Sequence, residues 1–179
     1  FYFPCEAKPR MVLFDKGHRI FKLMSFQKSA QELGYQLTKA VDVMDRVRAA
    51  RELAAFKGDE TISALSAALT GEDFFGVRMA AAISLGEIGG DTARTVLTQR
   101  YKAESDSRVR RACVWALGNF KDEAATDFLR EVSQKDQSYF TTVAAVRALL
   151  ANGSDKAFDA AKSALGITSW QEVIAASVF

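Results

Sequence analysis

Apolar residues recur along most of this chain at helical spacing, and the pattern itself recurs. Leu53, Leu85, Leu117 and Leu149 stand 32 residues apart (53, 85, 117, 149), and Ala49, Ala81, Cys113 and Ala145 form a second column four positions earlier. Arg46, Arg78 and Arg110 share a third column that Thr142 interrupts, while Ala54, Gly86 and Gly118 follow the leucines. Phe56, Ile88 and Phe120 form another column, and Asp59, Asp91 and Asp155 one more, with Glu123 in its third row. A fixed period of this length predicts a stacked solenoid, whose units cannot bury an apolar face alone. The expected fold is an all-α superhelix of four helical pairs.

The spacing predicts first helices over 43–56, 74–88, 107–120 and 139–151, and second helices over 60–69, 92–103, 123–132 and 156–165. Asp59, Asp91, Asp122 and either Ser154 or Asp155 stand where N-caps of the second helices belong. Gly58, Gly90 and Gly153 follow the first helices, where a C-terminal cap is expected. Such short connections force antiparallel neighbours. Small residues (Ala49-Ala50, Ala80 to Ala82, Ala144-Ala145) would let one repeat approach the next closely. A further helix over 26–40, capped by Ser25, precedes the pairs with Phe26, Ala30, Leu33 and Leu37 on one face. Ser169 with Glu172 forms a capping-box pattern before Trp170–Phe179, the expected first helix of a fifth repeat.

Residues 1–25 lie outside this register. Met11 to Phe14 and Arg19 to Met24 read as two short strands around an Asp15-Lys16-Gly17-His18 turn, a β-hairpin pattern. The expected division is a hairpin over 1–25, closing a preceding β-sandwich, and a repeat domain over 26–179. The chain begins with Phe1 rather than Met, which suggests processing or excision from a longer chain. Exposed Phe1, Tyr2 and Phe3 on a severed edge would make such a piece prone to association.

Charge changes this picture little. The 24 Lys and Arg nearly balance 22 Asp and Glu, for a net +2, which disfavours a nucleic-acid grip built on bulk charge. No apolar run reaches the length of a membrane span. Cys5 and Cys113 lack metal-site spacing, leaning toward a reducing, cytoplasmic compartment, and Cys113 in an alanine column reads as a small buried residue.

Candidate chemistry is sparse. His18 is the one histidine, too few for a typical zinc site, and no nucleophile or phosphate-loop motif occurs. Gly86 to Gly90 falls at a helix C-terminus, the wrong end for an anion. No residue is assigned to catalysis, to a cofactor or to a metal. The arginine column is the main polar feature. With Asp45, Asp73 and Asp106 nearby, Arg46, Arg78 and Arg110 are read as a structural ladder of Asp–Arg pairs between repeats, standing over the core leucines Leu53, Leu85, Leu117 and Leu149. The alternative is a row of cations for a phosphate or carboxylate ligand.

Val77-Arg78 with Leu85-Gly86, and Val109-Arg110 with Leu117-Gly118, resemble short HEAT-like repeats, which occur in phycobilin lyases, designed scaffolds and many binding proteins. The N-terminal part resembles something narrower. Lys8 to Gly17, Phe21-Lys22, Phe26 to Ser29, Tyr35 to Leu37 and the Asp42…Arg46…Ala49-Ala50…Leu53 pattern look like the junction between β-sandwich and helical domain in bacterial zinc aminopeptidases of the aminopeptidase N type. That resemblance implies a non-catalytic C-terminal domain, shaping access to a zinc site on an upstream domain. Its partners would be the upstream catalytic and β-sandwich domains and a peptide substrate, with its concave side facing the cleft, and zinc would be held elsewhere. The competing expectations are a free-standing HEAT-like protein-binding scaffold, favoured by a flat mixed-charge face, and a lyase-like chromophore or ligand chaperone, favoured by a concave pocket.

Overall fold

The computed structural model describes residues 4–17, 19–21, 26–153 and 155–165, and among these it is all-helical. A first helix α1 (Ala30–Lys39) leads into the pairs α2 (Val43–Leu53) with α3 (Asp59–Gly71) and α4 (Phe75–Ile88) with α5 (Asp91–Ala103). The pairs α6 (Ser107–Leu117) with α7 (Glu123–Lys135) and α8 (Tyr139–Asn152) with α9 (Asp155–Leu165) follow. First helices form one layer and second helices the other.

The caps explain where the helices start. α1 begins at Ala30 rather than 26 because Ser29 and Glu32 form a reciprocal capping box. The Glu32 amide donates to Ser29 Oγ at 3.3 Å and the Ser29 amide to Glu32 Oε2 at 2.8 Å. That amide, the Ser29 hydroxyl and Lys8 hold the Glu32 carboxyl at a pKa of about 2. Asp122 caps α7 by accepting from the Ala125 amide at 2.9 Å. Asp59 and Asp91, expected as caps, are instead the first helical residues, behind Gly58 and Gly90. There they still favour the positive end of the helix dipole. α2 and α6 stop at Leu53 and Leu117, and tighter 3₁₀-type bonds carry the chain on to Phe56 and Phe120.

The leucine column is buried, with Leu53 1% exposed and Leu85, Leu117 and Leu149 fully enclosed. The second helices contribute a matching column of their own in Leu65, Leu97, Leu129 and Ala161, all inaccessible to solvent. Leu33 of α1 stands in that same column, 32 residues before Leu65, and is 1% exposed. α1 therefore holds the register position of a second helix.

First helices touch one another along much of their length, whereas second helices meet more sparingly. Glycine makes the closest approaches possible. A Cβ on Gly86 of α4 would lie 2.8 Å from the Ala116 backbone of α6, and one on Gly118 would lie 2.9 Å from Ala148 Cβ of α8.

The expected hairpin is not formed among the described residues, for 11–17 and 19–21 contain no strand. Asp15, at φ 58°, turns the chain there, and its carboxylate accepts from the Arg19 amide at 3.1 Å and the Ile20 amide at 2.9 Å. This local turn needs no paired strands. Phe1 to Phe3, His18, Ser25 and the expected fifth-repeat helix at 170–179 lie outside the described residues. No helix among the described residues is long and apolar enough to cross a membrane.

Candidate functional site

Two polar or exposed features stand out, one inside the stack and one on it. The inner one is the arginine column. Each of its arginines reaches in two directions. Arg78 Nη1 donates to the carbonyls of Glu72 and Asp73, both at 2.7 Å, while its Nε meets Glu104 Oε2 at 3.1 Å. Arg46 likewise holds the carbonyls of Ala40 and Val41 and pairs with Glu72 at 3.2 Å. Arg110 holds those of Glu104 and Ser105 and pairs with Asp136 through two nitrogens, at 3.0 and 3.2 Å.

Glu72, Glu104 and Asp136 are the C-cap residues of α3, α5 and α7. Each gives its carboxylate to one arginine of the column (Glu104 also to Arg100), and Glu72 and Glu104 give their carbonyls to the next. The result is one continuous chain of contacts, Arg46–Glu72–Arg78–Glu104–Arg110–Asp136, which ends where Thr142 Oγ1 lies 3.4 Å from the Asp136 carbonyl. The expected partners Asp45, Asp73 and Asp106 do not supply these carboxylates. Asp106 caps α6 and pairs with Arg108 at 2.7 Å, and Asp73 contributes its carbonyl. The true partners were visible in the register as an acidic column at 72, 104 and 136, with Thr168 next in sequence.

Most of this network is satisfied, although Arg46 Nε is buried without a hydrogen bond and meets Glu72 only as an ion pair. Burial alone would raise the Glu104 pKa, but the Asp106 amide and the Arg100 guanidinium outweigh it and hold the carboxyl below its ordinary value. Asp136 is lowered in the same way, against its burial, by Arg110 and the Ser138 amide. Tyr101 donates to Asp136 at 2.7 Å, and burial together with that bond raises its phenol. With side chains only 12–18% exposed and partners in place, the column arginines are not open to a ligand. Cys113 sits in the core, where burial pushes its thiol up to about 12 and leaves it inert.

The outer feature is a groove of about 370 Å³ across α4, α6 and α8 on the first-helix face. Met79, Ile83, Trp115, Phe140 and Val143 supply its apolar surface, and Arg111 and Arg147 its charge. Trp115 is 56% exposed and Phe140 65%, unusual for side chains of their size in a folded chain. Arg111 lies 6.0 Å from the Phe140 ring centroid. The lining contains no carboxylate. Sequence reading missed this site because attention stayed on the core stripe, although Trp115 stands two residues before a core leucine and so on a different face of α6. No group of three or more His, Cys, Asp and Glu placed to hold a metal occurs among the described residues.

A family model described as HEAT repeats matches residues 30–118 and 97–179. No curated protein matches the chain in sequence. In structure it is similar to the complex of CpcE and CpcF of phycocyanin lyase from Nostoc sp. PCC7120, with a TM-score of 0.53 and 21% identity. The match covers 87% of this chain and 71% of that one, a likeness of fold.

These findings overturn the aminopeptidase resemblance and the zinc, metallopeptidase and hydrolase expectations that came with it. The upstream catalytic and β-sandwich domains are likewise withdrawn as partners, since the similar structure is an assembly of separate chains. The motifs that suggested that family have local causes. The Phe14-Asp15-Lys16-Gly17 segment is a self-contained turn built on the Asp15 carboxylate. The Asp42…Arg46 spacing is a helix cap, accepting from the Met44 amide at 2.7 Å, followed by a clasp on the preceding loop. Asp106 and Arg110 repeat that arrangement within the stack. The pattern is thus a requirement of stacking, and the chain belongs to the HEAT-repeat family.

Proposed function

We propose that this chain is a HEAT-like binding scaffold that holds a partner protein against its first-helix face. The observation that carries this reading is the exposure of Trp115 and Phe140 together with Met79 and Ile83 in one groove. Large aromatics and arginine at the centre of a contiguous patch are the usual anchors of a protein interface. The fold likeness to a complex of two chains is in keeping with it.

A second reading, a chaperone for a small ligand, draws on the same groove, whose volume lies within the range of small-molecule sites. Such sites enclose most of their ligand. Here both aromatics are more than half exposed on a single helical layer, a surface that a second chain covers better than a small molecule does.

The test is affinity capture with the chain and with its Trp115→Ala/Phe140→Ala variant, followed by reconstitution of the complex from purified components. A protein that binds the unaltered chain at fixed stoichiometry and loses the variant supports the scaffold. Identical retention by both would remove the groove from the binding surface.

A further inference from the structure

Resting on that reading, we infer that the groove takes an acidic amphipathic helix of the partner protein, its apolar face on Trp115 and Ile83 and its carboxylates on Arg111. The charge of the groove points to this occupant. Two cations nearby on the same face are already neutralised: Arg48 pairs with Glu52 at 3.7 Å, and Arg108 pairs with Asp106 at 2.7 Å while covering the Phe75 ring at 3.5 Å, whereas Arg51, one period before Ile83, is exposed to water outside the groove. Arg111 is different. It is half-buried, its recorded contact is the Phe140 ring, and among the described residues it has no carboxylate within ion-pair distance. A partly desolvated guanidinium without a counter-ion is a costly arrangement that an incoming carboxylate relieves, with two-point geometry available to it.

The groove's layout fits a helix. In the 32-residue register, Ile83, Trp115 and Arg147 hold equivalent positions on α4, α6 and α8, as do Met79, Arg111 and Val143. Neighbouring helices in such a stack stand roughly 8–10 Å apart. Two turns of a helix laid across them rise about 10.5 Å. Residues seven apart on the partner would therefore meet equivalent positions on successive repeats, apolar side chains over Ile83 and Trp115 and acidic ones toward Arg111. A nucleic-acid strand is the poorer fit, because the lining is mainly apolar and carries two cations rather than a basic track.

Fluorescence anisotropy with two labelled synthetic helices of about 20 residues, sharing one Leu/Phe face and flanked by Glu in one and Lys in the other, tests this. The Glu helix should bind at least roughly tenfold more tightly than the Lys helix, and added salt should narrow the gap. Arg111→Glu should reverse the preference, Arg111→Gln should abolish it, and Trp115→Ala should weaken the Glu helix at least roughly tenfold. Circular dichroism establishes that each variant is folded. Equal binding of both helices, weakened alike by Trp115→Ala, overturns the acidic preference and leaves the scaffold standing. Binding indifferent to Trp115→Ala and Phe140→Ala removes the scaffold face itself, and tighter binding of a single-stranded oligothymidylate overturns the protein helix in favour of nucleic acid.

Discussion

The two layers of this stack solve different problems with the same repeat. The second helices carry their charges in pairs. Arg94 meets Asp91 and Asp122, Lys156 meets Glu123 and Asp127, and Lys135 meets Glu131 at 3.0 Å. That surface is largely paired, although Phe158 of α9 is 58% exposed. The first helices are packed more closely, through alanine and glycine, yet at α4, α6 and α8 they leave aromatic rings exposed and a half-buried arginine without a counter-ion. Tight backbone packing and an unfinished outer surface occur together there. A stiff layer can hold exposed anchors in one arrangement, so less freedom is lost when something docks on them.

What joins the layers should give the largest effect when broken. Glu104→Ala strands Arg78 and Arg100 at a carboxylate whose side chain is 3% exposed, and chemical denaturation should show a loss of about 3–5 kcal/mol. A loss under about 1 kcal/mol would mean the chain of clasps contributes little to holding the layers together.

Glycine sharpens the contrast between layers. Gly86→Ala drives a methyl into the Ala116 backbone and should cost roughly 1–3 kcal/mol. Gly71→Ala, at the end of α3 with open space around it, should be neutral or stabilising by up to about 1 kcal/mol. Equal responses in thermal melts would erase the difference in packing.

Acid should act through the same clasps. Glu104 and Asp136 have lower pKa values folded than their ordinary ones, so the native state binds fewer protons there than the unfolded chain does. Their contribution is present above the unfolded values of roughly 4 and is lost as pH falls through the folded values. The melting temperature should therefore fall as the pH drops below about 4.5, and Glu104→Gln should flatten part of that slope. An unchanged slope would place the acid sensitivity elsewhere.

The smallest effect is the most telling for function. Trp115→Ala should change stability by no more than about 0.5–1 kcal/mol, close to Lys135→Ala on the other layer. A large loss would make Trp115 a structural residue and weaken its reading as an anchor.

The period, the pairing and the buried leucines were legible in the sequence because core positions are set by spacing, and spacing is what a linear pattern displays. Arg46, Arg78 and Arg110 were legible as one column and Glu72, Glu104 and Asp136 as another, but not that the two columns pair. The eye looks for acids within a helical turn, whereas Glu104 lies 26 residues from Arg78 and meets it only after the chain has folded back. The end of the N-terminal stretch was misread for the opposite reason. Asp15 and Gly17 do mark a turn, and short apolar runs on either side of a turn suggest strands. Val12, Phe14 and Ile20 are instead exposed, and no sheet among the described residues covers them. The groove depended on which side chains off the core stripe converge from three helices, and no single helix of the sequence displays that.

One last consequence concerns how such a chain changes in length. Each arginine reaches six residues back to a carbonyl and 26 forward to a carboxylate, and the two spans together make one period. A segment of that length, cut at any point in the register between Arg46 and Asp136, carries one arginine and one acid. Duplicating or deleting such a segment leaves every remaining charge with a partner, whereas gaining or losing a single residue between Glu72 and Arg78 separates two repeats at once. The array is therefore free to grow by whole blocks and strongly resists growth by anything less.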